Sequence, residues 1–365
     1  MRIAVIGGGI NGLACAWKLA EEGHVVSLYE RGKLMSSTSR ASTKLLHGGL
    51  RYLENFEFRL VFEALSERDA WLARVPELTN PISIIIPIYH NSLRKKWVVG
   101  LGLKLYSFLS YKSPLPRPQW LALDEVVREN PTLKTEGLIG GYKFYDGQMD
   151  DYRLGLWVAE QCRALGVVIN EDTNVLSLES GGSLETENHD RCYFDRIVNL
   201  AGPWAEELLR KSGFESNNKL DLVRGSHIII QKKCTQGMLL EVPRERRIFF
   251  VLPWQGKTMI GTTEVRQSIN EPVECSNEEV KYLLRAYNNY FTEQISRRDI
   301  ISKFAGLRPL IFSTNEPSKA TREYSIDRTD KLINVFGGKW TTSLALARKI
   351  SRVVLNGKDN LRNIK

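Results

Sequence analysis

A chain of 365 residues is too long for one ordinary hydrophobic core and predicts two domains. Its 42% hydrophobic and 25% charged residues describe a soluble globular protein, and five scattered cysteines without a C-x-x-C pair exclude a disulfide framework and a zinc pattern. The formal charge of +9 admits phosphorylated substrates, acidic lipid or nucleic acid as partners but selects none of them.

The first thirty residues organise the rest. Ile3-Ala4-Val5-Ile6 reads as a buried parallel strand, Gly7-Gly8-Gly9-Ile10-Asn11-Gly12 follows at once, and Leu13, Ala14, Trp17, Leu19 and Ala20 form a helical stripe. Val25 to Glu30 reads as the next strand. Gly7, Gly9 and Gly12 keep the G-x-G-x-x-G spacing of a dinucleotide-binding unit. Gly7 allows the tight turn, Gly9 lets backbone approach a pyrophosphate, and Gly12 lets helix and strand pack closely. The helix N-terminus supplies free N–H groups for that pyrophosphate. Glu30 stands where an acid binds the ribose hydroxyls of an adenosine, which disfavours a 2′-phosphate.

Residues 36–54 pass from hydroxyls to glycines: Ser36-Ser37-Thr38-Ser39-Arg40-Ala41-Ser42-Thr43-Lys44, then Leu45-Leu46-His47-Gly48-Gly49-Leu50-Arg51-Tyr52-Leu53-Glu54. Such a run suits a polyanion or the lining of a site better than a core. A helix is expected over 57–75. Residues 91–118 carry six cations and no acid, with Trp97, Leu101, Leu105 and Phe108 between them. The segment is too short and interrupted to span a bilayer; it reads either as an interfacial helix or as a core helix with solvated lysines.

From 150 to 214 the chain returns to α/β character, with a helix at Asp150–Leu165, a strand to Ile169, another at Val175–Leu178, and a buried strand ending at Ala201-Gly202-Pro203-Trp204. Between 220 and 312 the texture changes to alternating strands, with a helix near Asn277–Tyr290. The last unit is a strand at Lys331–Phe336, a turn at Gly337-Gly338-Lys339-Trp340-Thr341-Thr342, and a helix from Ser343. The predicted fold class is α/β + β. A Rossmann-type nucleotide domain (residues 1–80, 146–218 and 300–365) carries an inserted, mainly antiparallel-sheet substrate domain (81–145 and 219–299).

The chain resembles the FAD-dependent glycerol-3-phosphate dehydrogenases, within the wider class of D-amino-acid-oxidase-type flavoproteins. The resemblance covers roughly residues 2–355. It rests on Ser42 to Glu54, Gly225-Ser226-His227-Ile228, Val251-Leu252-Pro253-Trp254, Ile260-Gly261-Thr262-Thr263, Gly306-Leu307-Arg308-Pro309-Leu310 and Phe336 to Thr342. It implies FAD rather than a diffusible nicotinamide. Larger members continue into a further helical domain after the last glycine-rich unit, so this chain reads as a short form. They also carry a smaller aliphatic residue at the position of Trp340.

On that resemblance FAD is expected against Gly7, Gly9, Ile10, Asn11, Gly12, Glu30 and Arg31, and against Ser42, Thr43, Lys44, Leu46, His47, Gly48 and Gly49. It is further expected at Val175, Ala201, Gly202 and Trp204, and at Arg308, Gly338, Lys339, Trp340, Thr341 and Thr342. The implied reaction oxidises sn-glycerol 3-phosphate to dihydroxyacetone phosphate, with hydride passing to flavin N5 and electrons going on to a quinone. Such chemistry needs a base, cations for the substrate anion, and donors for charge developing on the flavin. His47 and His227 are the candidate bases, and the residues do not choose between them. Arg51, Tyr52, Arg308, Arg322 and Lys339 are the candidate substrate contacts, with Arg308 and Lys339 also placed at the reacting centre.

An FAD enzyme acting on another small hydroxy or amino acid is the runner-up, with the same cations binding a carboxylate. A non-catalytic flavoprotein would not need the His and Arg set. A nucleic-acid binder would explain the charge, but no reader motif is present. No metal is expected. The protein is expected in the cytoplasm, with an anionic membrane surface as a further candidate partner.

Overall fold

Ile3, Ala4 and Val5 are fully buried in the strand Arg2–Ile6, at the centre of a six-stranded sheet. The structure is a computed structural model and describes residues 1–216, 218–312 and 324–355. The sheet runs in the order Tyr324–Thr329, Leu332–Gly337, Arg196–Asn199, Arg2–Ile6, Val25–Tyr29, Val168–Asn170. Its pairs are parallel, apart from the antiparallel hairpin formed by the first two strands in that order. Successive side chains of a strand face opposite ways. Ile3 and Val5 accordingly join Leu13 of the first helix, Val158 of the helix Asp151–Ala164 and Ile350 of the helix Ser343–Leu355. Ala4 and Ile6 join Leu178, Leu184 and Leu208 on the other face. Both faces are covered, as a parallel sheet requires.

Gly12 does what its spacing predicts. A Cβ there would lie 1.8 Å from the Gly7 carbonyl oxygen, so any side chain would push the first helix off its strand.

The second sheet has ten strands. Its spine is Val265–Arg266, Leu220–Ile230, Lys257–Gly261, Ile248–Trp254, Gly237–Glu241, Thr79–Tyr89, Leu138–Met149 and Leu45–Leu46. Ile300–Ile311 pairs along Leu220–Ile230, and Gln119–Ala122 pairs along Leu138–Met149. The pairs are antiparallel except Gly237–Glu241 with Thr79–Tyr89. Sheet membership therefore reaches into the hydroxyl-rich stretch at Leu45 and past residue 300. One face packs on the helix Asn277–Tyr290 through Leu283 and Tyr287; the other packs on the helices Phe58–Arg74 and Lys96–Leu109 through Leu65, Leu103 and Tyr106.

The helix Lys96–Leu109 shares features of both alternatives left by residues 91–118. Val99, Gly100, Leu103 and Tyr106 are buried. Trp97 is 71% exposed, Leu101 62% and Phe108 72%. The core-helix reading is thus corrected for Trp97, Leu101 and Phe108, while Leu105 packs partly buried against the core cluster of Val99, Leu103 and Tyr106. The three exposed side chains stand at i, i+4 and i+11, which puts them along one side of the helix.

Candidate active site

The carboxyl ends of Arg2–Ile6 and Arg196–Asn199 open into a cleft bounded on its far side by strands of the large sheet. Its cavity measures about 430 Å³, within the usual range for ligand sites.

One end is built for a nucleotide. Gly9 caps the helix Ile10–Glu21, whose first turn holds no acidic residue, so its partial positive charge is not neutralised from within. The Ile10 N–H donates to Ser39 Oγ at 3.0 Å. Glu30 accepts from Gly8 N–H at 2.6 Å and Gly32 N–H at 3.0 Å, which fixes the carboxylate at the cavity wall. The Arg31 guanidinium lies 3.8 Å above the Trp204 ring, beside Val175, Ala201 and Gly202. Buried Asn11 Oδ1 has no hydrogen-bond partner among the described residues. A Cβ on Gly338, whose φ is +98°, would come within 2.7 Å of Asn11 Nδ2. An open acceptor, a glycine cradle and an uncompensated helix N-terminus fit a ligand that is both anionic and rich in hydroxyls, as FAD is.

The other end gathers the titratable groups. His227 lies on Leu220–Ile230, stacked on Phe304 with ring centroids 4.8 Å apart, and its Nε2 is 3.0 Å from Thr43 Oγ1. Burial, with Arg308 and Lys44 nearby, pushes its pKa down to about 3, so it stays neutral at any working pH. Arg308 donates to Thr262 Oγ1 at 3.2 Å and the Thr263 carbonyl at 2.8 Å, and it lies 3.8 Å from Glu264. Lys339 Nζ sits 3.9 Å from the centre of the Tyr52 ring. His47 lines the cavity half-buried, and its backbone N–H donates to Thr341 Oγ1 at 3.3 Å. Trp340 is explained by its neighbours: its indole N–H donates to the Ser39 carbonyl at 3.0 Å and its ring meets Trp71 edge-on.

The cavity wall thus brings together Gly7, Gly9, Ile10, Asn11, Glu30, Arg31, Ser42, Thr43, His47, Gly49 and Tyr52 with His227, Arg308, Gly338, Lys339, Trp340 and Thr341. Gly12, Lys44, Leu46, Gly48 and Thr342, expected at the cofactor, sit behind that wall, Gly12 against the Gly7 carbonyl. Lys44 is paired with buried Asp151, Leu46 is core, the Gly48 N–H donates to Tyr106, and Thr342 is buried. Arg322 and the side chain of Arg51 lie outside the described residues.

Sequence reasoning missed Ser39, Asp151 and Glu264. Ser39 was one hydroxyl among several. Asp151 opens a helix, where an acid reads as ordinary dipole compensation. Glu264 follows directly on the Ile260–Thr263 motif and could have been found there.

Comparison with known proteins agrees with this geometry. Residues 2–352 match the family described as FAD dependent oxidoreductase. The chain is 38% identical to a D-erythritol 1-phosphate dehydrogenase of Brucella abortus, over 94% of this chain and 72% of that one. It is 37% identical to a glycerol-3-phosphate dehydrogenase of Pseudomonas aeruginosa, over 94% of this chain and 70% of that one. Among solved structures, a glycerol-3-phosphate dehydrogenase of Bacillus halodurans complexed with FAD superposes with a TM-score of 0.78 at 26% identity. That superposition covers 97% of this chain but 64% of the longer Bacillus chain.

Proposed function

The chain belongs to the FAD-dependent oxidoreductase family, in the group that holds the glycerol-3-phosphate dehydrogenases, and from that premise we propose that it oxidises a secondary alcohol of a small polyol phosphate, glycerol 3-phosphate first among them. One observation carries the reading. His47, His227, Arg308 and Lys339, drawn from distant parts of the sequence, face the same cavity as the nucleotide-binding turns.

FAD, when bound, accepts the hydride that leaves the substrate carbon. The chain's own residues supply the rest. Arg308 and Lys339 offer cations to the phosphate, with Arg308 already aimed by its bonds to residues 262 and 263. The hydroxyl proton needs an acceptor of near-neutral pKa, and His227, held to about 3, is a poor one. His47 on the same wall is our choice of base. His227 then acts as a neutral hydrogen-bonding group.

For re-oxidation we favour a quinone reached from the cytoplasmic face of a membrane. Among the described residues no helix is long and apolar enough to cross one. Docking would use the exposed Trp97, Leu101 and Phe108 together with Lys95 and Lys104, in a segment without a single acid.

Anaerobic bleaching of the flavin absorbance tests the substrate. Glycerol 3-phosphate and D-erythritol 1-phosphate are added side by side to the purified protein, because relatives named for each match this chain at nearly equal identity. Bleaching by neither, with flavin in place, overturns the polyol phosphate reading.

A further inference from the structure

The hydroxyl-rich strip beside the cleft is divided in two by what its side chains bond. Ser42 is tied to Asp151, with both its N–H, at 3.1 Å, and its hydroxyl, at 2.7 Å, donating to Oδ2. Lys44 Nζ donates to Oδ1 of the same carboxylate at 2.6 Å and to the Arg40 carbonyl at 2.6 Å. The Lys44 N–H closes the ring on Ser42 Oγ at 2.9 Å. Asp151 is 0% exposed and is the first residue of its helix, whose N-terminus favours the negative charge. Both carboxylate oxygens are therefore occupied, and residues 40 to 44 are fixed at both ends. On their other flank a Cβ at Gly306 would come within 2.9 Å of the Ala41 carbonyl oxygen, so the strip cannot shift that way.

Thr43 lies between the two anchored residues and bonds elsewhere, its Oγ1 3.0 Å from His227 Nε2. The imidazole has no freedom of its own. Phe304 lies parallel to one face at 12°, and a Cβ on Gly261 would lie 2.1 Å from His227 Cδ2. Its Nδ1 is buried and has no hydrogen-bond partner among the described residues. An N–H orphaned inside a protein is rarer than an under-used acceptor. That favours the proton on Nε2, donated to Thr43, and a lone pair on Nδ1. Because the ring is neutral, its tautomer is the property left to be set.

We propose that Asp151 and Ser42 are positioning residues: they fix Thr43 so that its hydroxyl holds His227 in the Nε2–H tautomer, with the lone pair on Nδ1. The effect on turnover rests on the polyol phosphate reading above; the tautomer does not.

The test is nitrogen NMR of holoenzyme labelled at its five histidines, with His227 assigned by the signal lost in His227→Gln. The wild type should show one neutral tautomer, protonated at Nε2, unchanged across neutral pH. Thr43→Val removes the hydroxyl itself. Ser42→Ala removes two bonds of the ring but keeps the Lys44–Asp151 ion pair, so it tests the anchor without the loss of a buried charge that Asp151→Asn brings. Both variants should give mixed tautomers, and Ser42→Thr, which restores the hydroxyl, should return the single one.

With substrate, each variant should lose roughly 10-fold in kcat per bound FAD. The double variant should be no worse than either single one, as for residues acting as a unit. A single wild-type tautomer in Ser42→Ala, losses that multiply in the double variant, or a loss explained wholly by released FAD would each overturn the proposal. If no polyol phosphate is a substrate, the NMR comparison still decides whether Ser42 acts on His227.

Discussion

Residues 36–49 and the helix Lys96–Leu109 meet where the Gly48 N–H donates to the Tyr106 hydroxyl at 2.8 Å, yet they are held by opposite means. The first stretch is fixed by directed polar bonds: Asp151 to Ser42 and Lys44, Ser39 to Ile10 and Trp340, Thr43 to His227. The second is held chiefly by one buried ridge, Val99, Leu103 and Tyr106, and leaves larger apolar side chains in water. Hydrogen bonds have direction and fix atoms in place; apolar contact sets only an orientation. The stretch that lines the cleft uses the former. The stretch that presents a surface manages with the latter.

The sharpest way to break this contrast is Asp151→Ala, which strands the buried Lys44 ammonium without its counter-ion. It should cost about 3–5 kcal/mol of stability by denaturant titration, and a wild-type midpoint would mean that the polar strip is not held from behind. Arg308→Ala comes next. Losing one preorganised cation should lower kcat/KM for the polyol phosphate by about 2–4 kcal/mol of transition-state energy, and an unchanged value with flavin intact would place the phosphate elsewhere.

The third effect is on pH. The His227 pKa falls from 6.5 to about 3 on folding. Between those values the unfolded chain binds the proton and the folded one does not. Stability therefore declines as pH falls through that window, by up to about 1.4 kcal/mol per unit from this group. His227→Gln should flatten the slope of unfolding free energy against pH, and an equal slope in both proteins would remove His227 as its source. On the helix side effects are smaller. Lys95→Gln and Lys104→Gln should each weaken sedimentation with anionic vesicles by about 1 kcal/mol at low salt, with the difference fading as salt rises. Binding that ignores both charge and salt would exclude electrostatic docking. Smallest of all, Leu101→Ser should change unfolding stability by less than about 0.5 kcal/mol. A clearly larger loss would show that this face is covered in the folded protein.

Much of the fold was legible because its evidence is local. Gly7, Gly9 and Gly12 sit between an apolar run and a helical stripe, and that pattern is read from adjacent residues alone. The helices at 58–74, 151–164 and 277–290 follow from periodicity alone. The candidate site was legible as a set of residues but not as a set of bonds. Thr43 and His227 were each singled out, yet their contact joins positions 184 apart. Asp151 reaches Ser42 across 109 residues, and Trp340 reaches Ser39 across 301. Nothing in a hydroxyl's own neighbours says which way it will turn. The helix at 96–109 was ambiguous for a related reason: composition names an apolar side chain but not what covers it.

The order of the central sheet has a consequence in time. Arg2–Ile6 leaves the ribosome well before one of its two neighbours, Arg196–Asn199, and the strand beyond that, Leu332–Gly337, is made later still. The Trp340 indole that clamps Ser39 follows a few residues after. Until then the first glycine-rich turn is a finished motif on an unfinished wall. The nucleotide cleft thus joins side chains 301 positions apart in order of synthesis, and this part of its wall is complete only once both are made.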